Sequence, residues 1–158
     1  MPIYMKYDKI VGDATEEGHK DWITLHSFQF GVGRGISTPT GSGKLRESSA
    51  PSVSEITVTK GQDGSTIPIM TEGYQGQGKD CTIDFVSTEA GQLRTYLSFK
   101  LYNTMISGYS LSSGGDRPSE SISLNFTKIE TKTTEYKQDN TPGKQLSLIW
   151  DIATAKMG

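Results

Sequence analysis

Cysteine is nearly absent from this sequence: Cys81 is the only one, so no disulfide can form within the chain. This composition is typical of a protein that folds in a reducing cytoplasm. The sequence also has no run of about 18 apolar residues, which argues against a membrane-spanning helix. The first residues lack the apolar segment of a secretory signal peptide. We therefore expect a soluble cytoplasmic protein that, if exported, leaves the cell without a signal peptide.

A strong charge of either sign is missing as well. The formal net charge is -2 at pH 7, and the lysines and arginines are scattered singly along the chain. Proteins that bind nucleic acid usually display a basic stripe, because contacts with phosphates supply much of their affinity. The sequence therefore predicts a solvated surface of mixed charge and no nucleic-acid partner.

Motifs for catalysis or cofactor binding are also missing. His19 and His26 are the only histidines, and neither has the spacing of a metal-ligand cluster with Cys81 or an aspartate. No Gly-x-Ser-x-Gly elbow is present. The Gly-Ser-Gly-Lys run at 41–44 is not a phosphate loop, because threonine and leucine stand where that loop needs glycine and a hydroxyl. We predict no enzyme activity, no cofactor and no metal.

What the sequence does contain is the period-two alternation of β-strands. Apolar and polar residues alternate at 23–30, 96–102, 122–126 and 146–152, and shorter strands are predicted at 3–7, 53–59 and 81–86. The polar positions of these strands are rich in Ser, Thr, Gln and Asn. Such a face suits either a hydrated surface or a water-filled lumen, and the pattern leaves both open.

One helix and two loops interrupt the strands. Ser65 and Thr66 precede an apolar segment with Pro68 in its first turn, which predicts a short helix that ends at Gly73 or Gly76. Residues 112–118 are typical of a hairpin turn. Residues 33–51 form a long loop rich in glycine, serine and threonine, longer than a simple connection requires.

The length and composition indicate the number of domains and the size of the core. A chain of 158 residues fits one domain, 1–158, and its 33% hydrophobic residues allow only a thin core. Thin cores are found in small barrels and in subunits that bury more surface against their neighbours.

Several segments occur in the order that one protein family shows. They are an opening strand at 3–7, a glycine-containing acidic turn at 12–21 that includes His19, the segments 22–36 and 46–56, a central helix, the Gly-Gly-Asp-Arg-Pro turn at 114–118, the strand at 123–126 and a late strand with Trp150. The series resembles the Hcp family, the tube proteins of bacterial type VI secretion systems.

The resemblance implies a mainly β fold of two packed antiparallel sheets forming a small β-barrel, with one short flanking α-helix and a long extended loop. It also implies that the chain forms homo-hexameric rings that stack into a tube inside a contractile sheath, below a spike protein of the VgrG type. Effectors carried in the ring lumen would be exported with the tube. Neither nucleic-acid binding nor membrane insertion belongs to this interpretation.

The resemblance also suggests functional positions. Gln29 stands at the position that faces the lumen in the family, so it is the predicted cargo contact. The glycine-rich loop is suited to reach the next ring or a neighbouring subunit. The residues predicted to act there are Gly33, Arg34, Gly35, Lys44, Arg46 and Glu47.

Two other functions remain as alternatives. The first is a monomeric β-barrel that binds a small ligand in its interior, which requires a discrete apolar pocket. The second is a small hydrolase that depends on Cys81 or His26, for which the sequence offers no motif.

Overall fold

The structure, a computed structural model, describes residues 1–38, 47–89, 91–139 and 141–158. It is built from antiparallel strands and one helix. The elements are β1 (Ile3–Tyr7), β2 (Ile23–Leu25), β3 (Ser27–Gln29), β4 (Val32–Gly33), β5 (Ile36–Ser37), β6 (Glu47–Ser48), β7 (Ser52–Val53), β8 (Ile56–Gly61), α1 (Thr66–Gln75), β9 (Lys79–Glu89), β10 (Gln92–Ser112), β11 (Ser119–Asn125), β12 (Lys128–Tyr136), β13 (Pro142–Asp151) and β14 (Lys156–Met157), with a single 3-10 turn at Glu17–His19.

The strands form two sheets that pack face to face. The back sheet has the order β14-β13-β12-β10-β9-β1-β2, and the front sheet has the order β10-β11-β8-β3. The long strand β10 belongs to both sheets, and a bend at His26 takes the chain from β2 in the back sheet to β3 in the front sheet. Among the described strands, the hydrogen-bonded ladder does not close into a continuous cylinder. The predicted fold class is confirmed. The two sheets of the barrel are joined at the strand β10 that they share and at the bend at His26.

The core lies between the two sheets because each strand turns its alternate apolar residues inward. Its fully or nearly buried members are Met5, Tyr7, Ile23, Leu25, Ile56, Val58, Ile69, Cys81, Ile83, Phe99, Leu101, Ile106, Ile122, Leu124, Phe126 and Ile129. Within the described residues, no helix is long and apolar enough to span a membrane.

Helix α1 begins and ends close to the predicted positions. It runs from Thr66 to Gln75, ends at Gly76, and buries Ile69 in the core. The expected serine cap is absent, because the Ser65 hydroxyl donates a hydrogen bond to Asp63 instead of accepting one from the first turn.

A charged cluster is buried where α1 meets the front sheet. The side chains of Lys60 and Glu120 are fully buried, with Lys60 Nζ 2.5 Å from Glu120 Oε2 and 3.0 Å from Asp63 Oδ1. The hydroxyls of Thr66 and Tyr109 donate hydrogen bonds to the Glu120 carboxylate at 2.9 and 2.6 Å. Each charge is therefore compensated, as buried charges must be. The cluster fixes the first turn of α1 against β8 and β11.

The pKa of Asp63 reflects this environment. Burial acts to raise the pKa of this carboxyl, but hydrogen bonds from Ser65 and from the Lys60 ammonium outweigh it, so the net pKa lies below its usual value. A lowered carboxyl pKa contributes stability above the unfolded-state pKa, and that contribution is lost as the pH falls through the folded-state value.

The sequence pattern failed for two parts of the chain. Strand β12 was not predicted, because Ile129 and Tyr136 are the only large apolar residues in it and its inward positions include threonines. No strand was predicted within the loop at 33–51, yet β5 pairs with β6 in its described part, and Gly33 at its start belongs to the β4–β7 ladder. The reason is that hydrogen bonding between backbones needs no apolar periodicity.

We expect the Lys60→Met substitution to lower the free energy of unfolding by about 3–5 kcal/mol, because it leaves Glu120 and Asp63 buried without their cation. Urea denaturation at neutral pH measures the loss. Lys6→Met is the matched control, since Lys6 is exposed on β1. A loss no larger than that of the control would show that the buried pair is not needed for stability.

Candidate assembly surfaces

Gln29 lies on the outward side of the front sheet. In β3, the side chain of Phe28 turns into the core, where its ring lies 5.0 Å from the rings of both Phe85 and Phe99. Gln29 is exposed on the opposite side and is paired with Thr57 of β8. Within the described residues, its side chain makes no hydrogen bond, so the amide is available to a partner.

We call the outward side of the front sheet the Gln29 face. Strand register places on it Ser27, Gln29, Thr57, Thr59, Gly61, Met105, Gly108, Ser110, Ser112, Ser119, Ser121, Ser123 and Asn125. Residues that alternate with these point into the core.

The described residues at 31–38 and 47–54, which we call the arm, pair with each other. Backbone pairing is reinforced by serine hydroxyls: the Gly31 N–H donates to Ser54 Oγ at 2.8 Å and the Gly35 N–H to Ser49 Oγ at 3.0 Å. Gly33 sits within the first ladder, and a Cβ added there would meet no atom within 4 Å.

The structure describes some of the residues that were predicted to act in the loop, but not all of them. Gly33, Arg34 and Gly35 are exposed along the first limb of the arm. Glu47 belongs to the second limb, in β6. Lys44 and Arg46 lie outside the described residues.

One edge of the front sheet is unpaired along β10. Beyond Thr104 this strand pairs only with β11 among the described strands, so its second edge is open from Met105 onward. A surface cleft of about 260 Å³ borders the edge, between α1 and β10. Its wall includes Met70, Ile106 and Tyr74, and Tyr74 is 85% exposed.

The other edge of the front sheet is unpaired along β3, which pairs only with β8 in the described part of the chain. A second cleft of about 160 Å³ lies beside it, lined almost entirely by apolar side chains. Phe30 and Val32 form one wall, and Leu148 and Trp150 of β13 form the other. Val32 and Leu148 are 61% and 49% exposed, although Leu148 belongs to the inward-facing row of β13. The core-facing side of the back sheet thus extends beyond the part that the front sheet covers.

The three residues considered for catalysis lie in different environments. Cys81 is fully buried, and burial raises the pKa of its thiol, which disfavours the reactive thiolate. His19 is buried beneath a turn, where its ring contacts Glu16 and lies 2.8 Å from Asp84 Oδ2. His26 is exposed at the bend between β2 and β3. Among the residues that the structure describes, no His, Cys, Asp and Glu side chains group as a metal site.

The sequence model of the family "Type VI secretion system effector, Hcp" matches residues 4–133, which is most of the chain. The chain belongs to the Hcp family. No curated protein sequence matches it significantly. Because Hcp proteins are tube subunits of the type VI system, the predicted function class is confirmed at this level.

Solved structures share the fold of this Hcp chain. A protein described as a type six secretion system protein superposes with a TM-score of 0.89 at 25% identity, over 99% of both chains. Hcp1 from Salmonella typhimurium gives 0.76 at 17% identity, over 99% of this chain and 98% of that one. A type VI secretion system effector from Yersinia pestis gives 0.73 at 19% identity, over 94% and 98%.

The two clefts of this Hcp chain were missed by the sequence reasoning. Tyr74 lies at the end of the predicted helix, and Leu148 lies in the predicted strand at 146–152, on the side that the alternation assigns to the core. Periodicity shows which side of an element a residue occupies, but not whether another element covers that side. In the sequence, only the small hydrophobic fraction, which predicts a thin core, indicated that more surface is buried against neighbouring subunits.

We expect Gly33→Lys to impair the stacking of rings while leaving the protomer folded. The new side chain has room within the protomer, so the free energy of unfolding should change by no more than about 0.5 kcal/mol. Tube length in negative-stain images measures stacking. Lys9→Gly, a change of the same two residue types in reverse at an exposed turn, is the control. Tubes of normal length for Gly33→Lys would remove the arm from the stacking contact.

Proposed function

We propose that this Hcp protein acts as one domain that closes into a ring of six copies, and that the rings stack into the inner tube of a type VI secretion machine. The tube lies inside a contractile sheath, ends in a spike protein, and is exported when the sheath contracts. Effector proteins travel in the lumen, and the chain itself is structural, not catalytic. The observation that carries this proposal is the pair of unpaired edges on the front sheet.

Unpaired edges are a hazard for an isolated protein, because exposed N–H and C=O groups recruit other strands. Here the two edges belong to different strands, β3 and β10, at opposite sides of the same sheet. A copy that offers its β3 edge to the β10 edge of the next copy makes a head-to-tail contact. Such contacts generate a closed ring when the rotation between copies closes.

The two clefts support the same contact. One cleft is lined by residues of the unpaired part of β10, and the other by Phe30 and Val32, which follow β3 in the chain. Pairing of the edges would bring the apolar cleft beside β3 next to the cleft that contains Tyr74. Burial of Leu148 and Val32 would then add about 25 cal/mol for each Å² of apolar surface removed from water.

The different widths of the two sheets support a ring in which the front sheet faces the axis. The back sheet contains strands from β14 through β2, seven in all, whereas the front sheet contains four. A ring has a longer outer than inner circumference, so the wider sheet fits outside and the narrower sheet inside. The Gln29 face would therefore line the lumen, with the amide of Gln29 pointing toward the cargo.

The strands of the arm pair outside the two main sheets, and the arm suits a contact between stacked rings. Its limbs are held together by their own backbone and serine hydrogen bonds, so it is a formed element in a single protomer. Gly33, Arg34 and Gly35 are exposed on it. We place Lys44, Arg46 and Glu47 in the same contact on the basis of their position in the chain.

A ligand-binding barrel is less well supported. The space between the sheets is filled by core side chains such as Phe99 and Leu124, and both clefts open at the surface. An interior ligand would have to displace part of this core. A small hydrolase has no support in the surroundings of Cys81 or His26.

We expect native mass spectrometry to find a species of about 103 kDa, six times the 17.2 kDa chain. Leu148→Asp should shift the population to monomers, because it places a charge in the cleft beside β3. Ser147→Asp is the control, since Ser147 precedes Leu148 in the same strand and points to the other side of the sheet. A wild-type monomer at high concentration would contradict the ring and favour the ligand-binding barrel.

We expect Gln29→Ala to weaken effector binding without changing the mass of the ring, because it removes an unpaired amide from the proposed lumen. Co-purification with an effector exported by the same machine provides the measurement. Gln145→Ala, which removes an exposed amide from β13, is the matched control. If every effector tested bound both variants as it binds the wild type, Gln29 would have no role in cargo contact.

A further inference from the structure

The segment between β1 and β2 covers part of the outward side of the back sheet. We call residues 8–22 the strap. Ala14 in the strap and Trp22 at its end pack against Tyr4 and Val86, which point outward from β1 and β9. This small cluster is distinct from the core between the two sheets. The strap is therefore a separate layer that packs on the back sheet from outside.

The two ends of the strap have an unusual backbone conformation. Asp8 and Asp21 have φ angles of 51° and 67°, in the left-handed region that residues other than glycine rarely adopt. Between them the strap is joined to itself, with the Gly12 N–H donating to the Asp21 carbonyl at 2.8 Å and the Ala14 N–H to the Trp22 carbonyl at 3.0 Å. Two sharply turned residues thus mark where this self-bonded segment leaves the sheet and rejoins it.

His19 joins the strap to the sheet. Within the described residues, its bond to Asp84 is the only side-chain hydrogen bond between residues 9–20 and a strand. The ring is buried, with Nδ1 in contact with Glu16 Oε2 and Nε2 2.8 Å from Asp84 Oδ2. The other oxygen of Asp84 accepts a hydrogen bond from the Ser98 hydroxyl at 2.6 Å. One imidazole therefore connects a carboxylate of the strap with a carboxylate of β9.

The number of protons on this ring determines whether both contacts can be hydrogen bonds. A neutral imidazole has one N–H donor and one lone pair, so it can donate to Glu16 or to Asp84 but not to both. A lone pair that faces a carboxylate oxygen repels it. The imidazolium donates from both nitrogens, and both bonds are then charge-assisted. The geometry around His19 thus fits a ring that carries both protons.

The other titratable groups near the ring do not change charge with it. Tyr4 stacks on His19 with 4.8 Å between the ring centroids. Burial, and to a smaller extent the charge of Glu16, raise the pKa of Tyr4 above its usual value, so its hydroxyl stays neutral where histidines titrate. Lys132 of β12 lines the same surface cleft as Asp84, and no ion pair joins the two among the described residues.

We propose that His19 is a proton-dependent clasp for the strap. With both protons, the ring links Glu16 in the strap to Asp84 in β9; with one proton, a carboxylate faces a lone pair and the strap opens more readily. Because the closed form holds a proton that opening releases, acid favours the closed form and alkali favours opening. All of these groups belong to one protomer, so the inference does not depend on the ring.

The test is hydrogen exchange of the full chain, measured by mass spectrometry at about pH 6 and about pH 8.5, on either side of the usual histidine titration. Division by the exchange rate of an unstructured peptide at the same pH removes the intrinsic effect of pH and gives a protection factor. We expect strap amides such as those of Gly12 and Ala14 to be about tenfold more protected at the lower pH, because one charge-assisted hydrogen bond is lost at the higher pH. Amides of β11 serve as the internal reference and should change by less than about threefold.

Glu16→Gln tests the role of the proton directly. Glu16 Oε1 accepts the Gly18 N–H at 3.0 Å, a bond that the glutamine carbonyl can keep while its amide N–H donates to Nδ1 of a neutral His19 ring. The clasp then closes without the additional proton, so strap protection should differ by less than about threefold between the two pH values. Glu17→Gln removes the same charge from the exposed neighbour and is the matched control, which should keep the wild-type difference.

Two results would overturn the inference. The first is wild-type strap protection that agrees within about threefold at the two pH values, and the second is a Glu16→Gln variant that keeps the full wild-type difference. Asp84→Asn provides the same test from the other nitrogen if Glu16→Gln does not fold, because the asparagine amide can donate to Nε2 while its carbonyl keeps the Ser98 bond. A full pH difference in Asp84→Asn would overturn the inference as well. These results concern the strap alone and leave the proposed ring and tube untouched.

Discussion

The buried pair of Lys60 and Glu120 is the constraint on which the arrangement of the front sheet depends. The two residues lie on neighbouring strands, face the core, and are held together with Asp63 at the start of α1. Because an uncompensated charge cannot remain buried, this pairing fixes the register of β8 against β11 and the position of the helix. A shift of one residue in either strand would bring these charges to the outer face and turn its hydroxyls into the core.

The register that the buried pair requires also determines the surfaces of the sheet. With Lys60 and Glu120 inside, the alternate residues of β8 and β11 point outward and form part of the Gln29 face. The helix that is tied to the pair stands beside the open edge of β10 and forms the wall of one cleft. The buried charges, the outward polar face and the position of α1 beside the open edge thus depend on a single register.

The isolated protomer leaves strand edges and apolar side chains without a partner among its described residues. Both edges of its front sheet lack partners among the described strands, and its back sheet extends an apolar row past the core that covers it. A small β protein of this composition has little apolar surface to bury alone. Association with further copies resolves both conditions at once, which is why membership of a tube-forming family agrees with the physics of the isolated chain.

From residues close together in the chain, the sequence predicted a mainly β protein, the strongly alternating strands, the short helix and the lack of a catalytic motif, while the two packed sheets were implied by the resemblance to the Hcp family. It did not reveal β12, whose inward residues are mostly polar, nor the inward position of Lys60, which resembles an ordinary surface lysine. Only the tertiary structure brings Lys60 to a partner sixty residues away and leaves Tyr74 and Leu148 uncovered. Local periodicity assigns a side to each residue, whereas pairing and covering depend on contacts between distant segments.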